Sequence, residues 1–248
     1  MRIDTTLFAE TFRENVRRRS RSSKGEDGNT VSGSSKRKML LSGDDLAAQV
    51  AKNVEALIAD VHQVPTHFGA VGDLLRLACE RWFDLATAGL VDFDGYLDEQ
   101  IRIGDKVDRL SVNTGMKFGN SHRYRLWTPA YDTVADIPPQ LIDHFMSLFY
   151  KEYACRFGHA FGAGSDEVGI KLMAYADVMM DGVIHPWIDA CSRVSTTLIM
   201  WTALQLGGPL PLYHPDKKVH VSTLTDLAAH TAYFRECVQR FRDQEHII

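Results

Sequence analysis

A histidine, a carboxylate and an arginine fall within one short stretch, His185-Pro186-Trp187-Ile188-Asp189-Ala190-Cys191-Ser192-Arg193. These side-chain types suit phosphate chemistry. Imidazole titrates near neutrality, so His185 could take a proton from a nucleophile. Asp189 could hold a hard cation such as Mg²⁺. A helix beginning after the loop would turn backbone N–H groups and the positive end of its dipole toward an anion, with Arg193 and Ser192 beside it. Each residue also has a plainer use. Asp189 could simply cap the following helix, and Arg193 could pair with an acidic neighbour. Cys191 is either a thiol of lowered pKa, with His185 as its base, or a small semi-buried spacer.

Two helices must hold this stretch in place. Val168 to Asp181 carries apolar residues at Ile170, Leu172, Met173, Ala176 and Met180, with Gly182 positioned to close it. Val194 to Leu206 forms a second apolar helix, stopped by Gly207, Gly208 and Pro209.

The stretch resembles the signature loop of the Fic/Doc family, His-Pro-Phe-x-Asp-Gly-Asn-Gly-Arg. His185, Pro186, Asp189 and Arg193 match it, and Trp187 stands for Phe. Ile184 before the histidine, Gly208-Pro209-Leu210-Pro211 after the next helix, Arg123-Tyr124-Arg125-Leu126-Trp127 and Ile137-Pro138-Pro139 extend the similarity over roughly residues 69 to 245. Ala190, Cys191 and Ser192 replace the family's Gly-Asn-Gly, and Thr196 occupies the position of its second arginine. In the family the glycines let the backbone approach the phosphates. The Asp189-Ala190 step is similar to the Doc branch, which transfers a terminal phosphate instead of AMP.

The resemblance implies an all-α, Fic-type helical domain with a small β-hairpin flap. It implies transfer of AMP, another nucleotidyl group or a phosphoryl group from a nucleotide to a hydroxyl of a protein or small molecule. His185 would be the general base and Asp189 the Mg²⁺ ligand. Ala190, Cys191, Ser192 and Arg193 would cradle the phosphates of ATP or another nucleotide, and the flap residues Tyr124, Leu126, Trp127 and Thr128 would align the acceptor by strand-edge pairing. Two alternatives remain: a small-molecule tailoring enzyme with non-nucleotide chemistry, and a catalytically silent binding module. Retention of both His185 and Asp189 argues for an enzyme.

The chain has 248 residues, 45% of them hydrophobic, and a net charge of -4. That balance points to neither nucleic acid nor an anionic membrane as partner. A homodimer remains open. Cys79, Cys155, Cys191 and Cys237 lack the paired spacing of a zinc site or disulfide framework, which suits a reducing cytosol. No apolar run reaches membrane-spanning length.

Residues 1–43 read as a flexible basic arm ahead of a helical domain spanning 44–248. Phe8, Phe12 and Val16 could form a short amphipathic turn or two. Beyond them Arg, Lys, Ser and Gly leave little to bury, and Arg17 to Arg21 reads as a solvated tail or as a targeting or nucleic-acid arm, including one for export by a specialised secretion system. Further helices are expected from Asp44 to about His62, from Gly72 to Ala88, from Pro138-Pro139 through Tyr153, and from about Thr223 to Asp243. Arg156 to Asp166 reads as a Gly-rich connection, and Tyr124 to Val134 as a hairpin or surface loop.

Overall fold

From Val194 to Ala203 every residue of one helix is buried, polar and apolar alike. A helix apolar all round must lie inside. Its hydroxyls stay compatible with that burial because they bond their own backbone: Thr196, Thr197 and Thr202 donate to the carbonyls of Ser192, Arg193 and Leu198 at 2.8, 2.8 and 2.7 Å.

The computed structural model describes residues 3–22, 41, 43–66, 71–90, 123–124, 135–136, 139–184, 186–187, 190–215 and 226–245. Their elements run α1 (Thr5–Ser22), α2 (Gly43–Val61), α3 (Val71–Thr87), the two-residue strands β1 (Arg123–Tyr124) and β2 (Ala135–Asp136), α4 (Pro139–Ala163), α5 (Asp166–Asp177), a π-helical segment (Val178–Val183), α6 (Cys191–Leu206) and α7 (Leu227–Glu245). The central helix is α6, packed by α5, α3, α1 and α2, while α7 and α4 cover α5. Gly169 lets α5 lie close against α6, since a Cβ there would stand 3.2 Å from Leu206 Cδ1. Among the described residues no helix is long and apolar enough to cross a membrane.

The N-terminal segment departs from the expected flexible arm. Residues 5–22 form an eighteen-residue helix docked on the core, with Phe8 and Phe12 fully buried. Burying a Phe contributes about 2 kcal/mol toward ordering costs to which the polar end alone would contribute little. Buried Asn15 fixes the seat: its Nδ2 donates to the Pro211 carbonyl at 2.6 Å, and its Oδ1 accepts the Tyr213 N–H at 2.8 Å. Residues 23–40 lie outside the described residues.

The expected β-hairpin flap is overturned. The described residues form an all-α fold in which the strand content is one antiparallel pairing, Arg123 opposite Asp136 and Tyr124 opposite Ala135. Such a pairing is far below the ~5 residues of an ordinary strand and cannot stand alone as a structural unit. Leu126, Trp127 and Thr128 lie outside the described residues.

Three helix ends also move. Helix α4 runs through the expected Gly-rich connection to Ala163, because Phe157 and Ala160 continue its buried face. The helix before the loop does not stop at Gly182 but widens into π geometry from Val178. At the start of α7 the cap is Asp226, whose Oδ1 accepts the N–H groups of Ala228 and Ala229 at 2.8 and 3.1 Å.

Candidate functional site

The loop before α6 is held from both sides. Upstream, the Ile184 N–H reaches back five residues to the Met179 carbonyl at 2.8 Å, closing the π-helical segment. Segments of this kind recur at functional sites because they redirect a helix without ending it. Ile184 and Trp187 are buried, and the Trp187 ring stacks on Phe83 of α3 with centroids 5.1 Å apart. Downstream, Ala190 caps α6 in the left-handed region, at φ 64° and ψ 3°. It is the one non-glycine residue with positive φ among the described residues.

Cys191 ties the loop to the helix start. Its Sγ accepts the Trp187 N–H at 3.3 Å and donates to the Trp187 carbonyl at 3.1 Å, with 2% of the residue exposed. The geometry favours the spacer role over the nucleophile. Ser192 Oγ donates to Asp181 Oδ1 at 2.9 Å, so its proton is engaged by that carboxylate. Arg193 sits half-buried in the first turn of α6. His185 and Asp189 lie outside the described residues, as do Leu126, Trp127 and Thr128 of the expected flap; Tyr124 is placed by its backbone in β1.

Beneath this loop lies a polar cluster that the sequence reading did not anticipate. Asp177, at the end of α5, is the hub. Its Oδ1 accepts Ser195 Oγ at 2.8 Å and the Arg19 guanidinium, and its Oδ2 lies 3.0 Å from His230 Nδ1 of α7. Arg19 also donates to Asp181 Oδ2 at 3.0 Å, and its guanidinium stands 5.6 Å over the Tyr213 ring. Thr196 Oγ1, at the position of the family's second arginine, lies 3.5 Å from Arg19 Nη1 and from Tyr213 OH. Only the placement of Asp177 within an apolar helix, and of Ser195-Thr196-Thr197 within another, hinted at such a cluster.

The electrostatics follow from burial and pairing. Burial disfavours the Asp177 carboxylate, but the attraction of Arg19 and the hydrogen bonds from His230 and Arg19 outweigh it, holding the carboxyl well below the usual range. Burial likewise opposes the charge on Arg19, and Asp177 and Asp181 more than restore it. Burial pushes the Tyr213 phenol well up, so that it stays neutral. Of the cluster's polar atoms, His230 Nε2 is buried without a hydrogen-bond partner.

Among the described residues no group of three His, Cys, Asp or Glu side chains is arranged to hold a metal ion. Asp177 and Asp181 do not fit Mg²⁺, since Arg19, His230, Ser192 and Ser195 already engage their oxygens. A separate cavity of about 200 Å³ opens between α1, Leu212 and the end of α7, lined by Glu14, Arg18 and Phe241 among others. It shares no residue with the loop.

The described residues define an all-α fold in which Ile184, Trp187, Ala190 and Cys191 are buried at the start of the central helix. No family model matches the chain, and no curated protein or solved structure matches it.

Proposed function

We propose that the chain is a divergent Fic-type transferase that moves a phosphate-containing group from a nucleotide to a hydroxyl of a protein or small molecule. The observation that carries this reading is Ala190. A residue with a Cβ holds a left-handed conformation that costs roughly 1–2 kcal/mol, at the position where the family pattern has glycine. Strain retained against that cost is a mark of a functional backbone. In this reading the His185 imidazole takes the acceptor's proton as its oxygen attacks phosphorus. The bond to the leaving pyrophosphate breaks in nucleotidyl transfer, and the bond to the leaving diphosphate nucleotide in phosphoryl transfer. The N-terminus of α6 and Arg193 supply positive potential for the phosphates. Asp189 is the candidate ligand for the Mg²⁺ that accompanies the nucleotide, which would neutralise phosphate charge.

A silent binding module is the second reading. It is favoured by one observation: Cys191 and Ser192 spend their polar atoms on Trp187 and Asp181. ATP labelled at the α or the γ phosphate separates these outcomes. Transfer of the α label supports nucleotidylation and of the γ label phosphorylation, and either should vanish in His185→Ala. Transfer by His185→Ala at the wild-type rate would overturn the assignment of the base. A wild type whose melting temperature rises with MgATP, yet which transfers neither label, is a binding module.

A further inference from the structure

Three consecutive arginines, Arg17 to Arg19, lie in the C-terminal half of helix α1, and they do not behave alike. Arg17 and Arg18 fold back onto Glu14 one turn earlier, and Arg18 also donates to the Tyr213 carbonyl. Arg19 leaves its own helix and grips two carboxylates 158 and 162 residues away in sequence. Asp177 alone would suffice for a buried ion pair, because His230 and Ser195 already complete its shell. Asp181 is different. It lies inside the π-helical segment, its side chain is 20% exposed, and it accepts Arg19 on one oxygen and Ser192 on the other. Ser192 follows Cys191, whose sulfur closes on both backbone groups of Trp187 in the loop. An unbroken series of directional contacts therefore runs from α1 through the π-helical segment to the loop.

From this series we infer that Arg19 is a positioning residue: helix α1 is a strap whose Arg19 guanidinium sets the placement of Cys191 and Trp187 at the start of α6 through Asp181 and Ser192. The link stands on these contacts alone. Its meaning for activity rests on reading the loop as the working site.

Cys191 is the reporter. In a Cys155→Ser background, which removes the exposed thiol, the remaining cysteines Cys79, Cys191 and Cys237 are all buried. Labelling of each by N-ethylmaleimide is followed by peptide mass spectrometry on the full chain. Arg19→Met should label Cys191 roughly tenfold faster than the parent, the order expected when loss of a charged hydrogen bond eases a local opening. Cys79 and Cys237 should stay unchanged. Arg19→Lys, which keeps the charge but not the fork, should give a smaller rise. Ser192→Ala should also expose Cys191, and adding Arg19→Met to it should contribute little more, because the two act in one series. If Arg19→Met does not fold, Arg19→Lys and Ser192→Ala carry the test. An unchanged Cys191 rate in both overturns the inference, as does a rise shared by all three thiols, which reports general loosening. The melting shift of the parent with MgATP reads the proposed function separately. Selective labelling without a nucleotide shift keeps the strap and removes the nucleotide reading, while a shift without selective labelling does the reverse.

Discussion

Gly207 and Ala190 bracket helix α6, and both hold the left-handed conformation, with φ of 62° and 64°. At the C-terminal end glycine adopts it without a steric penalty, and the N–H of Gly207 satisfies the carbonyls of Ala203 and Leu204. The surroundings are apolar: Leu210 and Leu212 are buried, and Trp201 sends its one polar group to the Val64 carbonyl at 3.2 Å. At the N-terminal end the same backbone carries a methyl group, where an N-cap ordinarily sits in the β region. Its floor is a network of charges. At one end glycine relieves the left-handed backbone, and at the other a Cβ is carried against its steric cost. The proposed function rests on that contrast.

The sharpest way to break the comparison is to remove the ionic floor. Asp177→Ala leaves Arg19 and His230 beside a cavity, and a loss of about 3–5 kcal/mol is expected in denaturant unfolding. A loss below about 1 kcal/mol would mean that packing alone carries both ends. Acid should act next, and on the same end. The Asp177 pKa is depressed in the fold, so its contribution is complete above the unfolded value of about 3.9 and is lost as pH falls toward the folded value. Glu14, brought down to about 2 chiefly by its hydrogen bond from Arg17 and despite partial burial, adds to the same loss. Unfolding free energy measured from pH 5 downward should therefore decline, and Asp177→Asn should flatten the decline. An unchanged slope would assign the acid sensitivity elsewhere.

The two left-handed residues supply the finest test. Gly207→Ala should destabilise by about 1 kcal/mol, because a Cβ enters the left-handed region. Ala190→Gly should do the opposite by relieving that strain, raising stability by up to ~1 kcal/mol against the added freedom of glycine in the unfolded chain. If both substitutions destabilise, Ala190 is held by ordinary packing and the contrast dissolves.

Much of the helical skeleton was legible in the sequence. The stripe Val54, Leu57, Ile58 and Val61 lies buried as its spacing implies, and Cys79 and Trp82 belong to the core. Gly207 ends α6 and Pro139 opens α4. Local composition misled where distant contacts decide. Arg17 to Arg19 look solvated because nothing within reach in sequence pairs with Arg19; its partners lie past residue 170. Gly158 and Gly162 suggest a break in α4, yet Phe157 anchors the helix between Tyr153 and Ala160. The π-helical widening at Val178 carries no compositional mark. Of the candidate site, a helix following the loop was readable, but α6 opens at Cys191, three residues before the expected Val194, and the contacts of Cys191 and Ser192 depend on partners four and eleven residues upstream whose side chains gave no pattern.

Asn15 bonds residues 196 and 198 positions further along the chain. During synthesis, then, helix α1 emerges long before its seat is made. Until residue 213 has been added, Asn15 does not have both of these partners, and the docking of α1 on the core is incomplete. One link of the tertiary structure thus joins its beginning to its final quarter.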